Sequence, residues 1–208
     1  MARTPDGPSQ RRIKPSILAG MFGRFDGNPV QSLPLMVVTA QLIIQGTIQT
    51  RLRRLTDVLN EPDVAHLLLL EATFMEVGSR RVVAAAPVGQ VQLADVLFVH
   101  TTGPSSSSSE MRMPKQAVRA TLMAPPFTIE GQIHLSYESE LRFALDAYEG
   151  RFVPVTSARY WAYGVAESPN FVDLLAVNHA RAHVAVAGDM PWRTEAPDEG
   201  PGSAPNPW

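Results

Sequence analysis

Two blocks of this chain repeat one another, and a repeat restricts the fold more than any single motif does, because both blocks must build the same unit. Gln45-Gly46-Thr47-Ile48-Gln49 lies over Glu130-Gly131-Gln132-Ile133-His134, each a strand whose apolar residues alternate around a glycine. At nearly the same spacing, Leu55-Thr56-Asp57-Val58-Leu59-Asn60 lies over Leu141-Arg142-Phe143-Ala144-Leu145-Asp146, both patterned as a short helix. Residues 66–74 then lie over 152–160, extended runs rich in Val, Leu, Thr and aromatic side chains. Asp95-Val96-Leu97-Phe98-Val99-His100 lies over Asp173-Leu174-Leu175-Ala176-Val177-Asn178. The second block ends in a tight turn and a short strand, residues 182–186. The first ends the same way if its serine run is an insertion and residues 115–120 are the returning strand. On that alignment residues 118–123 close the first copy and lead directly into residues 127–135 of the second.

The pattern predicts a mainly β fold with short helices: two tandem small β-barrel-like modules related by pseudo-two-fold symmetry, with disordered tails. The expected boundaries are a flexible tail over 1–33, a first module over 34–123 with a disordered serine-rich insertion at 103–110, a second module over 124–187, and a disordered proline-rich tail over 188–208. A unit of about 65 residues buries only around 60% of its unfolded surface, so the copies are expected to pack on each other, with further self-association open. In the first tail, Ser16 is placed to cap a short helix bearing Ile17, Leu18, Met21, Phe22 and Phe25. That segment reads either as weak packing on the body or as a partner-binding helix.

Composition narrows the function classes. A hydrophobic fraction of 45% excludes disorder throughout, and a net charge of -2 lacks the broad positive field of a protein that binds nucleic acid mainly through phosphates, although a local patch would suffice. The absence of cysteine rules out disulfides, thiolate zinc sites and cysteine nucleophiles. The first apolar stretch, residues 17–25, is broken by Gly20, Gly23 and Arg24 and does not form a signal-peptide core. Residues 33–48 are interrupted by Pro34, Gln41, Gln45 and Gly46, which argues against a membrane helix. The expected setting is the cytoplasm.

Five short strands, with a glycine at a bend in the second and a one-turn connection before the fifth, resemble the Sm-like and SH3-like small barrels. Phe127-Thr128-Ile129-Glu130-Gly131-Gln132-Ile133 resembles the bent strand of the bacterial Sm-like RNA chaperone, and Asn178-His179-Ala180-Arg181-Ala182-His183-Val184 is similar to its last turn and strand. With the helix inserted and the ending Phe171-Val172-Asp173-Leu174-Leu175-Ala176-Val177-Asn178, the fuller pattern looks like an uncharacterised bacterial domain of unknown function, here in tandem. The Sm-like resemblance implies RNA contacts at a polar loop and a basic last turn. In this chain a helix expected over residues 138–148 occupies the loop, and Asn178 replaces the basic residue. His179 is what the chain keeps of that site.

Candidate site residues follow from alternation and charge. In Ser157-Ala158-Arg159-Tyr160-Trp161-Ala162-Tyr163, a period of two sets Arg159, Trp161 and Tyr163 on one face and Tyr160 on the other. An outward face of this kind anchors a protein partner or stacks bases, and an inward one belongs to the core. Arg51, Arg53 and Arg54, with Arg80 and Arg81, read as edge charges that block strand aggregation or, with His179, as nucleic-acid contacts. His179 and His183 stand four apart, but a turn followed by a strand does not keep the helical geometry of a metal pair, so no metal is expected. His66, His100 and His134 read as half-buried strand residues, and Glu71 and Glu76 lie on an apolar strand. No phosphate loop, dinucleotide fingerprint, nucleophile elbow or zinc helix occurs, so neither catalytic residues nor cofactors are expected. The expected function is a non-enzymatic interaction or scaffold protein that binds a protein partner or itself. An Sm-like regulator binding RNA or single-stranded DNA, and a small-molecule or metal sensor, are the alternatives; a membrane partner is not expected.

Overall fold

The computed structural model describes residues 29–52, 54–103, 115–136, 148, 150–163 and 168–186. The expected N-terminal helix at 16–25, the serine run, residues 138–147 of the second expected helix, Arg53 and the C-terminal tail lie outside the described residues. The N-terminal tail does so through residue 28.

The protein is mainly β. Its strands are β1 (Gln31–Thr39), β2 (Leu42–Thr50), β3 (His66–Glu76), β4 (Val82–Gln92), β5 (Val96–Thr101), β6 (Lys115–Ala124), β7 (Phe127–Ser136), β8 (Phe152–Ala162), β9 (Asn170–Asn178) and β10 (His183–Val186). A short helix, α1 (Leu55–Leu59), lies between β2 and β3, and a 3-10 turn (His179–Arg181) lies between β9 and β10. All strands join one antiparallel sheet in the order β10-β6-β7-β8-β9-β5-β1-β2-β3-β4. Strands 1–5 thus run 5-1-2-3-4 and strands 6–10 run 10-6-7-8-9, the same order in each half.

That order makes the sheet bend. β4 and β5 stand at opposite ends of their five-strand run, about 19 Å apart if the sheet were flat at ~4.8 Å per strand. Residues 93–95 join them, and a connection that short reaches at most about 14 Å. The bend has the same local cause in both halves. Opposite Gly46 the β2–β3 register slips between Gln45 and Thr47, and opposite Gly131 the β7–β8 register slips between Glu130 and Gln132. In each case the partner strand carries an extra residue at positive φ, Glu71 at 52° and Ser157 at 48°. Such a bulge increases twist and lets the strand coil. A methyl group on Gly46 would sit 2.9 Å from Leu69 Cβ and 3.0 Å from the Leu70 carbonyl oxygen. On Gly131 it would sit 2.5 Å from Val155 Cγ1 and 2.9 Å from the Thr156 carbonyl oxygen. Both glycines are therefore required by close approach of the bulged strand.

The halves meet where β5 pairs with β9, through Phe98↔Val177 and Val99↔Ala176. β5 is consequently buried from Val96 to His100, which accounts for its unbroken apolar run. Phe98 enters the core of the second half, 5.1 Å from the Phe127 ring and 4.9 Å from the Tyr160 ring. Phe152 and Ala176 in turn enter the first-half core beside Leu35, Leu69 and Val99. Side chains bind the seam as well. Asn178 donates to the Leu93 and Val96 carbonyls at 3.1 and 2.9 Å, Asn60 pairs with both the N–H and the carbonyl of Phe152, and Arg151 donates to the Val64 carbonyl at 2.7 Å.

Four sequence expectations are corrected. Residues 115–124 pair with β7 and β10, so they open the second half and do not close the first. The stretch 95–100 matches 173–178 in composition but not in position: β5 is the fifth strand of its half and β9 the fourth, so the strand that holds the place of β9 in the order of the first half is β4. The seam joins unlike strands, fourth to fifth, so it is not the self-complementary contact that a two-fold relation between halves would set. The first strand also begins at Gln31, inside the stretch expected to be tail.

Candidate interaction surface

The bulge at Ser157 fixes which side chains of β8 point outward. Beyond it, Ala158 and Tyr160 are buried while Arg159 is exposed and Trp161 half-exposed. Tyr160 packs on Phe98 and Phe127, and its hydroxyl stands 3.3 Å from His100 Nε2 and 3.9 Å from the Met36 sulfur. His100 Nδ1 lies 3.0 Å from the Thr101 carbonyl oxygen, so a neutral imidazole donates there and accepts from Tyr160. Burial holds the His100 pKa below its ordinary value.

On the outward side, Arg159 Nε donates to Glu130 Oε2 at 2.7 Å, and the guanidinium carbon stands 5.9 Å from the centre of the Trp161 ring. Phe171 is directly opposite Arg159 in the β8–β9 register and is 74% exposed. Tyr163, just past the end of β8, is 58% exposed and is tied down by its N–H, which donates to the Pro126 carbonyl at 2.8 Å. One more row across the sheet places Trp161 opposite Thr128 and Thr128 opposite Met123. The structure therefore places Arg159 and Trp161 together on one face of β8 and adds Phe171 from β9, while Tyr163 lies exposed in the turn after β8. In the structure exposed Phe171 and Asp173 alternate with half-buried Val172 and Leu174, whereas in the sequence a single phenylalanine in an apolar strand looks like core.

The other predicted residues lie elsewhere. Arg51 follows β2 and Arg54 precedes α1, each with interactions inside the protein. Arg81 pairs with Glu76 in the β3–β4 hairpin, where hydrogen bonds from Ser79 and Arg81 lower the Glu76 pKa. His179 is 6.1 Å from the Tyr148 ring and lines a cleft of about 380 Å³ between the halves, with Asn60, Pro62 and Arg151. The Tyr148 hydroxyl donates to the Phe152 carbonyl at 2.9 Å, and burial raises its pKa to about 12. Much of the polar lining of this cleft thus already serves the seam. His134 Nε2 lies 2.8 Å from the Thr156 hydroxyl. Among the described residues, no group of three or more potential metal ligands occurs, and no helix is long and apolar enough to cross a membrane.

Compared with protein-family models, with curated proteins and with solved structures, the chain shows no significant match to any of them.

Proposed function

We propose that the chain is a non-enzymatic cytoplasmic interaction protein built from two duplicated small β-barrels, and that it presents the Arg159, Trp161, Tyr163 and Phe171 face and its sheet edges to protein partners. The duplication is supported by the shared strand order and by a glycine facing a bulge at the same place in each half. The observation that carries the binding role is Phe171 at 74% exposure beside an arginine and a tryptophan already fixed on a rigid sheet. Aromatic and arginine side chains dominate binding energy at protein interfaces, and those fixed before binding lose little entropy.

The test is recovery of crosslinked partners by the full chain and by a Trp161→Ala, Phe171→Ala variant, with and without nuclease. The expected result is a protein partner, insensitive to nuclease, that the variant loses. A second reading, binding of single-stranded nucleic acid, is favoured by the guanidinium over Trp161, since the same groups stack bases. Recovery that nuclease abolishes, with retardation of labelled RNA that weakens steeply as salt rises, would select it. Recovery of neither class overturns both readings.

A further inference from the structure

The seam between the halves is an example of how this sheet accepts another strand. At the seam a fourth strand, β9, lies beside a fifth strand, β5. The other fourth strand, β4, and the other fifth strand, β10, are the two ends of the sheet, each with one neighbouring strand among the described residues. The molecule thus carries at its ends the two halves of a contact that it makes once inside itself.

Register turns this into residues. The bulges align Ser157 with Glu71, so Ala176, Val177 and Asn178 of β9 correspond to Gln90, Val91 and Gln92 of β4. The glycines align Leu122 with Val37, so Phe98 and Val99 of β5 correspond to His183 and Val184 of β10. Carried over, the seam pairs become His183 with Val91 and Val184 with Gln90. Gln92 then stands where Asn178 stands, an exposed amide within reach of the turn before the incoming strand.

The β4 edge is also unprotected in a way that isolated sheets avoid. Its eleven residues, VVAAAPVGQVQ, contain no charge, and Val82, Val83 and Val88 are 45–55% exposed. Long uncharged edges template pairing with another chain, and soluble proteins ordinarily guard them with charges. Pro87 removes one donor but lies outside the part of β4 that the seam register uses. Leu42 and Phe74, the counterparts of Phe127 and Tyr160, are only partly buried, whereas Phe98 covers Phe127 and Tyr160.

We infer that this protein assembles head to tail with further copies of itself, β10 of one molecule pairing antiparallel with β4 of the next in the register of the internal β5–β9 seam. The inference rests on the reading of the chain as an interaction protein and names the partner of its edges. Because the contact joins unlike surfaces, it repeats from molecule to molecule and produces a ring if the rotation closes or an open filament if it does not.

The chain has no cysteine, which permits a direct test in the full-length protein. Directly opposed antiparallel residues lie about 4.5–5.5 Å apart, within disulfide range. Gln90→Cys and Val184→Cys are made singly and together, each checked for unaltered unfolding in urea, and oxidised under dilute conditions. A mixture of the two single variants is expected to give one covalent dimer and nothing larger, and the double variant a ladder of oligomers. The diagonal pair Val88→Cys with Val184→Cys, about 7–8 Å apart in this register, should link poorly. His183→Phe, which restores the ring that Phe98 supplies inside the chain, should tighten assembly on the order of tenfold in sedimentation. Efficient linking of Gln90→Cys to itself, an intramolecular bond in the double variant, or a monomer by light scattering with no crosslink overturns the inference. If the chain is a monomer yet still captures a partner through the Trp161 and Phe171 face, the inference fails while the proposed function stands.

Discussion

β4 and β9 are the fourth strands of two halves with one topology, yet the last four residues of β9 are all buried while the corresponding part of β4 alternates between buried and exposed. The difference lies in what each meets. β9 meets β5, whose Phe98 fills the second-half core and whose turn offers carbonyls to Asn178. β4 keeps the backbone of a central strand and a chain of small residues, and meets solvent on its far side among the described residues. Burial at a sheet position is thus set by the neighbour as much as by the strand itself. An edge becomes an interior strand when a second strand brings a large side chain and a satisfied turn.

The sharpest way to break this comparison is at Phe98. It is fully buried between the halves, so Phe98→Ala should cost about 3–5 kcal/mol in urea unfolding, the range for a large aromatic removed from a core. Val88→Ala on β4, half-exposed at its position, should change the monomer's stability by less than about 0.5 kcal/mol. Equal losses at the two positions would mean that the β5–β9 seam is no more buried than the free edge. Next in size are the glycines. Gly131→Ala places a methyl group against both a side chain and backbone, and should cost about 1–3 kcal/mol. Gly46→Ala has slightly longer contacts and should cost less. The reverse ranking would show that the bulge of the first half is the less adaptable one.

Much of this arrangement was legible in the chain because it depends on local pattern. Gly46 and Gly131 stood at the same place in alternating strands, and the period of two separated Arg159 and Trp161 from Tyr160. What failed was the assignment of strands in the first half. β4 reads VVAAAPVGQVQ, whose alanines, proline and glycine have low strand preference, so by pattern alone the more apolar stretch after it takes β4's place and β6 takes the place of β5. Similar composition then aligned β5 with β9, although the two are neighbours in the sheet and owe their apolar character to the same seam. Phe171 was missed for the opposite reason: exposure depends on what covers a strand, which alternation does not record.

Asn178 and Gln92 sharpen the comparison at the level of single hydrogen bonds. Asn178 is buried and donates to two carbonyls while its oxygen accepts from the Ala180 N–H, so Asn178→Ala leaves buried groups unpaired and should cost about 1–3 kcal/mol. Gln92→Ala should leave the monomer unchanged and affect only assembly. His100 adds a pH signature from the same seam. Its folded pKa lies below the ordinary 6.5 because burial disfavours the cation, so the unfolded chain binds the extra proton first. The stability it contributes is therefore complete above about pH 7 and falls as pH drops through 6.5 toward the folded pKa. Urea unfolding at about pH 7.5 and 5.5 should show that loss, and His100→Gln should flatten it. An undiminished slope in the variant would assign the effect to other groups.

The smallest expected effect separates binding from stability on the exposed face. The Arg159–Glu130 pair has side chains 46% and 27% exposed, and partly solvated pairs contribute little because water screens them and long side chains lose freedom in forming them. Glu130→Gln should therefore shift unfolding by less than about 1 kcal/mol, with the small difference shrinking further in high salt. The same change removes the carboxylate that holds the guanidinium near Trp161, so partner recovery through this face should fall by more than the change in stability accounts for. If Glu130→Gln instead lowers stability by several kcal/mol, the pair is a structural element of the sheet. The face would then have no preorganised cation, and the contrast between a buried, stabilising seam and an exposed surface given over to recognition would be lost.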